Sequence, residues 1–118
     1  MKTLVLGATS NPGRYAFTAV HRLKANGHEV VPVGIKKDEV AGLRIINDKP
    51  PLDGIDTVTL YVGPHNQAEW IDYILSLKPR RIIFNPGTNN PEFITKAKEQ
   101  GIETIQACTL VMLASGTY

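Results

Sequence analysis

Short apolar runs alternate with amphipathic stretches along the whole chain. Lys2–Leu6, Glu29–Val33, Thr57–Val62, Arg81–Phe84 and Ile102–Gln106 are compact runs without strict polar alternation, as in strands covered on both faces. Between them the spacing changes to three and four. Ala16, Phe17, Val20 and Leu23 share one face of a helix that starts at Pro12 or Gly13, ends at Ala25 and stops at Asn26-Gly27. Ala68, Ile71, Ile74 and Leu75 do the same over Pro64–Leu77, and Lys78-Pro79 ends that helix. Asn90-Pro91 opens a further helix, which runs to Gln100 and stops at Gly101. Ala107–Ala114 forms a short closing helix. The pattern is weaker over 39–46, where Leu43–Ile46 reads as a short edge strand, and Asn47–Gly54, with Pro50-Pro51, is an irregular connection.

Strand and helix alternate throughout, which predicts a single α/β domain. A doubly wound parallel sheet would lie between helices in three layers, joined by right-handed crossovers. Such sheets bind ligands at the carboxyl ends of their strands, near the point where strand order reverses. The loops of interest are therefore 7–15, 34–37, 62–66, 85–89 and 107–109.

Composition narrows the options. The chain has 118 residues, one domain's worth, with 42% hydrophobic residues and a net charge of +2. That charge argues for neither nucleic acid nor an anionic membrane, and no apolar stretch approaches the roughly 20 residues of a span. A single cysteine, Cys108, excludes an internal disulfide and suits a reducing, cytoplasmic setting. Neither His21 nor His28 stands at a metal-ligand spacing from Cys or Asp.

The first loop carries the clearest chemistry. In Leu-Val-Leu-Gly7-Ala8-Thr9-Ser10-Asn11-Pro12-Gly13-Arg14-Tyr15, an apolar run ends in glycine and passes through small polar residues into a helix. Gly7 permits a sharp turn and close approach of a ligand. The helix start turns its free N–H groups and positive dipole end toward the same place, so a phosphate or pyrophosphate is the natural guest. The glycines do not follow Gly-x-Gly-x-x-Gly. They stand nearer to the Gly-Ala-Thr-Gly-x-x-Gly of some NADP-dependent reductases, with Ser10 for the middle glycine.

The loop after the second strand, Gly34-Ile35-Lys36-Lys37, lacks the acid that NAD binders place there to hold the ribose. Its two lysines suit an additional ribose phosphate, as in NADP or coenzyme A, or a solvated basic turn. His65, after Gly63-Pro64, is either a ligand contact or a histidine at a helix start. Cys108, at another strand end, is either a small packing residue or a thiolate activated by the following helix. The Tyr-x-x-x-Lys dyad of short-chain reductases is absent. Trp70 falls in a helical apolar pattern and is assigned to packing.

Several motifs in order resemble the small stand-alone CoA-binding protein family, which is similar to the CoA-binding domain of succinyl-CoA synthetase alpha subunits. They are Gly7-Ala8-Thr9-Ser10-Asn11-Pro12, Gly27-His28-Glu29-Val30-Val31-Pro32-Val33, Gly42, Asp56 before its strand, Asn85, Pro86-Gly87-Thr88-Asn89-Asn90, and Ala107-Cys108-Thr109. The resemblance covers nearly the whole chain. Two departures stand out: Gly34-Ile35 replaces the Asn-Pro of many members, and Phe84 replaces a tryptophan.

The resemblance implies a Rossmann-like fold, coenzyme A or an acyl-CoA as ligand, and no catalytic residue. On this reading the pyrophosphate rests on residues 8–11 and the helix start, with Arg14 in the first helical turn adding a charge-assisted bond. Lys36 or Lys37 meets the 3′-phosphate. Val62, Gly63, Pro64 and His65, with Asn85, Pro86, Gly87 and Thr88, line the pantetheine path. An NADP-binding reductase-like module and a ligand-free interaction protein are the alternatives. A homodimer paired across the last strand is compatible with all three.

Overall fold

The computed structural model, which describes residues 1–118, turns the apolar runs into β-strands. In chain order the elements are β1 (Thr3–Leu6), α1 (Tyr15–Ala25), β2 (Val30–Val33), β3 (Glu39–Val40), β4 (Leu43–Arg44), β5 (Thr57–Leu60), a 3₁₀ turn (Pro64–Asn66), α2 (Ala68–Ser76), β6 (Arg81–Phe84), α3 (Pro91–Glu99), β7 (Glu103–Gln106) and α4 (Thr109–Ser115). Five strands form one parallel sheet in the order β2-β1-β5-β6-β7. The register sets Thr3 beside both Val30 and Thr57, Thr57 beside Arg81, and Arg81 beside Glu103.

Side chains on a strand point alternately to the two faces, so each strand feeds two cores. Leu4 and Leu6 of β1 pack with Val58, Leu60, Ile82 and Phe84 against Trp70, Ile71, Ile74 and Leu75 of α2 and Phe93 and Ala97 of α3. Val5, between them, faces the opposite way and meets Ala16, Val20 and Leu23 of α1, with Leu113 of α4 beside this cluster. Helices therefore cover both faces, and the sheet is doubly wound and Rossmann-like. Phe93 is wholly buried and meets Phe84 edge-on at 5.4 Å between ring centres. Burial of such a side chain contributes roughly 1.5–3 kcal/mol.

The face under α4 is unusually polar. Thr57, Thr59, Arg81 and Asn85 are all buried there. Arg81 Nε donates to Thr57 Oγ1 at 2.9 Å, and its guanidinium lies 4.5 Å from the ring centre of Tyr118. The Tyr118 hydroxyl bonds Thr3 Oγ1, which ties the end of the chain to β1.

Four expectations about the elements need correction. The first helix begins at Tyr15, because Asn11 closes a turn before it: Asn11 Oδ1 accepts from Gly13 N at 2.9 Å, and Asn11 O accepts from Arg14 N at 3.1 Å. The stretch over Pro64–Leu77 divides into a 3₁₀ turn and α2. Gln67 stands at the join, with Nε2 donating to Val62 O and Thr88 O, each at 2.8 Å. Leu43–Ile46 is not an edge strand of the main sheet. Ala41 and Gly42 both have positive φ, which makes a tight hairpin of β3 and β4, and only the Val33–Ile46 bridge joins this segment to β2. The closing helix starts two residues later than expected, at Thr109.

Candidate functional site

The chain leaves β1, goes to β2 on one side, and returns as β5 on the other, so strand order reverses between β1 and β5. Over the carboxyl ends of the strands at this point lies a cleft of about 620 Å³. Gly7, Ala8, Thr9, Asn11, Arg14 and Tyr15 form one wall. Gly34, Ile35 and Lys36 close one end, and Val62, Gly63 and Pro86 stand toward the other.

Two glycines shape this floor. Gly7 has φ +93°, and a Cβ there would come within 2.9 Å of Val62 Cγ2 and 3.1 Å of the Tyr61 carbonyl. A Cβ on Gly34 would lie 2.5 Å from the Ala8 carbonyl oxygen. The exits of β1, β2 and β5 thus pack backbone to backbone. The sequence reading gave the room at Gly7 to a ligand, whereas Tyr61 and Val62, just beyond β5, fill it.

The first loop uses part of its own hydrogen-bonding capacity. Gly7 N and Ala8 N both donate to Val33 O, at 2.8 and 3.0 Å. The backbone N–H of Ala8 is therefore committed to the sheet, which removes it from the expected phosphate cradle. Asn11 N donates to Thr9 Oγ1, and the Ser10 hydroxyl donates to Asp38, whose carboxyl that bond holds below the usual range. The N–H groups of Thr9, Ser10, Tyr15 and Ala16 have no partner within the protein. The last two belong to the first turn of α1, where the dipole favours an anion. Arg14 precedes this turn as the N-cap, with extended backbone, rather than lying within it.

Lys36 and Lys37 part company. Lys36 lines the cleft, while Lys37 lines a second, adjoining cavity with Asp38, Arg44 and Asn47. Asn47 fastens the loop between them, with Nδ2 donating to Gly34 O at 3.0 Å and Lys36 O at 2.8 Å. Arg14 and Lys36 are not paired with any carboxylate. Two apolar side chains stand in the open at the cleft, Tyr15 at 76% and Ile35 at 82% exposure.

The remaining candidates lie outside the cleft lining. Pro64 and His65 are exposed on the 3₁₀ turn, and Gly87 is exposed beyond Pro86. Asn85 is buried and fully engaged: Nδ2 donates to Thr59 Oγ1 at 2.6 Å and Leu60 O at 2.8 Å, and Oδ1 accepts from Thr109 N at 2.8 Å. It joins β5, β6 and α4. Thr88 is buried too, its hydroxyl donating to Asn85 O at 2.7 Å. Cys108 is half-buried at the N-cap of α4. No group of three or more His, Cys, Asp or Glu side chains stands close enough to hold a metal ion.

Sequence reasoning missed Tyr61, Glu69 and Trp70, and covered Asn66 only as part of the loop 62–66; all four line the cleft. Trp70 is 4% exposed and does pack in the core, yet it reaches the wall as well. Tyr61 borders the cleft while its hydroxyl lies beneath α4, close to Thr59 and Thr109. Those two hydroxyls bond each other at 2.7 Å, and the Tyr61 hydroxyl is left without a hydrogen bond. Burial, with Cys108 nearby, pushes its pKa up to about 12. The signal for Asn66, Glu69 and Trp70 was their place at the start of the helix after a strand end inside the cleft.

A family model described as CoA binding domain matches residues 1–114. Among solved structures, a crystal structure of an uncharacterized protein superposes with a TM-score of 0.97 at 57% identity, covering 99% of this chain and 97% of its own. A hypothetical protein from Pyrococcus horikoshii OT3 gives 0.89 at 27% identity, over 97% of this chain and 82% of its own. A Thermus thermophilus protein gives 0.84 at 24% identity, over 99% and 90%, and shows the shared fold. No protein of curated function matches the sequence.

Proposed function

The chain belongs to the CoA-binding domain family, and on that premise we propose that it binds coenzyme A or an acyl-CoA in this cleft without catalysing a reaction. One observation carries the reading. At the reversal point of the sheet, the unpartnered N–H groups of Thr9, Ser10, Tyr15 and Ala16 lie in the loop and helix start that carry Arg14, with Lys36 lining the same cleft. Free N–H groups at a helix start and free cations together suit a pyrophosphate.

The pyrophosphate rests on residues 9–11 and the first turn of α1. The adenosine lies toward the β2 end, where the exposed faces of Tyr15 and Ile35 offer apolar contact to the base. Lys36 meets the 3′-phosphate from inside the cleft, and Lys37 and Arg44 add positive potential beside it. The pantetheine arm runs across Val62, Gly63 and Pro86.

Calorimetry with CoA, dephospho-CoA and NADPH tests the reading. CoA is expected to bind and, by mass action, to stabilise the fold by about 2.7 kcal/mol at a hundredfold excess over Kd, read as a raised melting temperature. Dephospho-CoA should bind about tenfold more weakly, and Lys36→Ala should abolish that difference. Absence of heat and of any thermal shift at millimolar CoA would overturn the proposal, and tighter binding of NADPH than of CoA would replace it with the reductase-like module.

A further inference from the structure

We infer that Glu69 selects the acyl group by charge: the cleft accepts CoA and its neutral thioesters and turns away a thioester that ends in a carboxylate. This rests on the reading of the cleft as a CoA site.

The cleft carries opposite charges on different elements. Arg14 comes from the start of α1 and Lys36 from the exit of β2, whereas Glu69 comes from the first turn of α2, on the opposite face of the sheet. Cations gathered at the β2 end fix the phosphates of the ligand there. The chain of the ligand beyond its pyrophosphate then runs over the rest of the lining, to which Asn66, Glu69 and Pro86 belong. On this path the pantetheine thiol, or the acyl group on it, meets the one carboxylate of the lining.

Glu69 is free to act on that group. Its carboxylate forms no ion pair and no hydrogen bond. The neighbouring cation does not neutralise it directly: Lys49 Nζ donates to the backbone carbonyl of Glu69 at 2.6 Å and lies 5.0 Å from the ring centre of Trp70. Glu69 stands in the first turn of α2, where the helix dipole favours a carboxylate. A second carboxylate brought into the same cleft meets like-charge repulsion, and an acyl chain of equal length with a methyl end does not.

Butyryl-CoA and succinyl-CoA form the matched pair, since their acyl chains have the same number of carbons and differ in the terminal charge. Titrations of both, beside CoA, into the wild-type protein and Glu69→Gln test the inference. Succinyl-CoA is expected to bind about tenfold more weakly than butyryl-CoA to the wild type, an electrostatic penalty that added salt reduces. In Glu69→Gln the ratio should fall to about one, within the scatter of additive effects. Any loss of stability in the variant cancels in this ratio. Equal or tighter binding of succinyl-CoA by the wild type, or an unchanged ratio in Glu69→Gln, overturns the inference while CoA binding stands. Failure of CoA itself to bind overturns the reading of the cleft, and the inference with it.

Discussion

The Ala8 carbonyl oxygen stands 2.5 Å from the place a Cβ on Gly34 would take. The exit of β2 and the first loop can approach so closely only because residue 34 has no side chain. The neighbouring bonds share this geometry: Ala8 N reaches Val33 O at 3.0 Å, and Gly34 N reaches Ile46 O at 3.0 Å.

Gly34→Ala is accordingly expected to destabilise the protein by about 1–3 kcal/mol, the usual cost of overpacking against atoms that cannot rotate away. Backbone on one side and Ile45 Cγ2 at 3.3 Å on the other leave little room for relaxation. Urea unfolding should show a lower midpoint with an unchanged slope. CoA affinity should fall as well, because the loop that shifts carries Thr9 and Ser10.

Asn85 separates a structural role from a binding role. Asn85→Ala leaves the Thr109 N–H, the Leu60 carbonyl and the Thr59 hydroxyl each short of a buried partner. A loss of about 3 kcal/mol is expected, chiefly from the Thr109 N–H and the Leu60 carbonyl at about 1–3 kcal/mol each, since the Thr59 hydroxyl keeps Thr109 Oγ1 as a partner. CoA affinity measured on the folded protein should change less than about threefold, a small fraction of one kcal/mol per bond lost. A large affinity loss with little change in stability would place Asn85 in the site instead.

The buried Tyr61 hydroxyl lies close to Thr59 and Thr109 but makes a well-formed hydrogen bond with neither. Tyr61→Phe keeps the ring and removes that group, so stability should rise by up to about 1 kcal/mol, read from thermal unfolding. The pH dependence has a definite sign. The native pKa, pushed up to about 12, lies above the ordinary 10.0, so the stabilisation is complete below pH 10 and is lost as pH climbs toward 12. The phenylalanine variant should lose less stability than the wild type over that alkaline range.

Asp56 behaves in the opposite sense. Arg80 grips it through two bonds, Nε to Oδ2 at 3.0 Å and Nη2 to Oδ1 at 3.1 Å, and the guanidinium holds the carboxyl below its ordinary 3.8. This stabilisation is present above pH 3.8 and is withdrawn as pH falls through that value and the lower native one. Asp56→Asn should cost about 1 kcal/mol at neutral pH, the upper part of the range for a partly exposed pair. The difference between variant and wild type in urea unfolding should begin to narrow as the pH falls below 3.8 and close below the lower native value, where both side chains are neutral.

Much of this architecture was written in short-range pattern. Apolar runs flanked by Gly, Pro and Asn set all five strands of the sheet, because a strand covered on both faces needs continuous apolar character and a breaker at each end. Helix spacing set the four helices, with errors of a few residues at their starts. The first loop raised the expectation of an anion site, since its glycine, its polar residues and the helix that follows act through neighbouring backbone. The tertiary structure decided what depends on distant partners. It sent Lys36 into the cleft and Lys37 beside it, a difference of one residue that only the path of the loop pinned by Asn47 determines. It committed Asn85 to β5 and α4, gave the room at Gly7 to Tyr61 and Val62, and brought Glu69 on α2 into a cleft shared with Arg14, the N-cap of α1. Local sequence fixes which elements form because propensity and turn chemistry act over a few residues. Which groups are satisfied by the protein, and which are left to meet a ligand, depends on contacts between residues far apart in the chain.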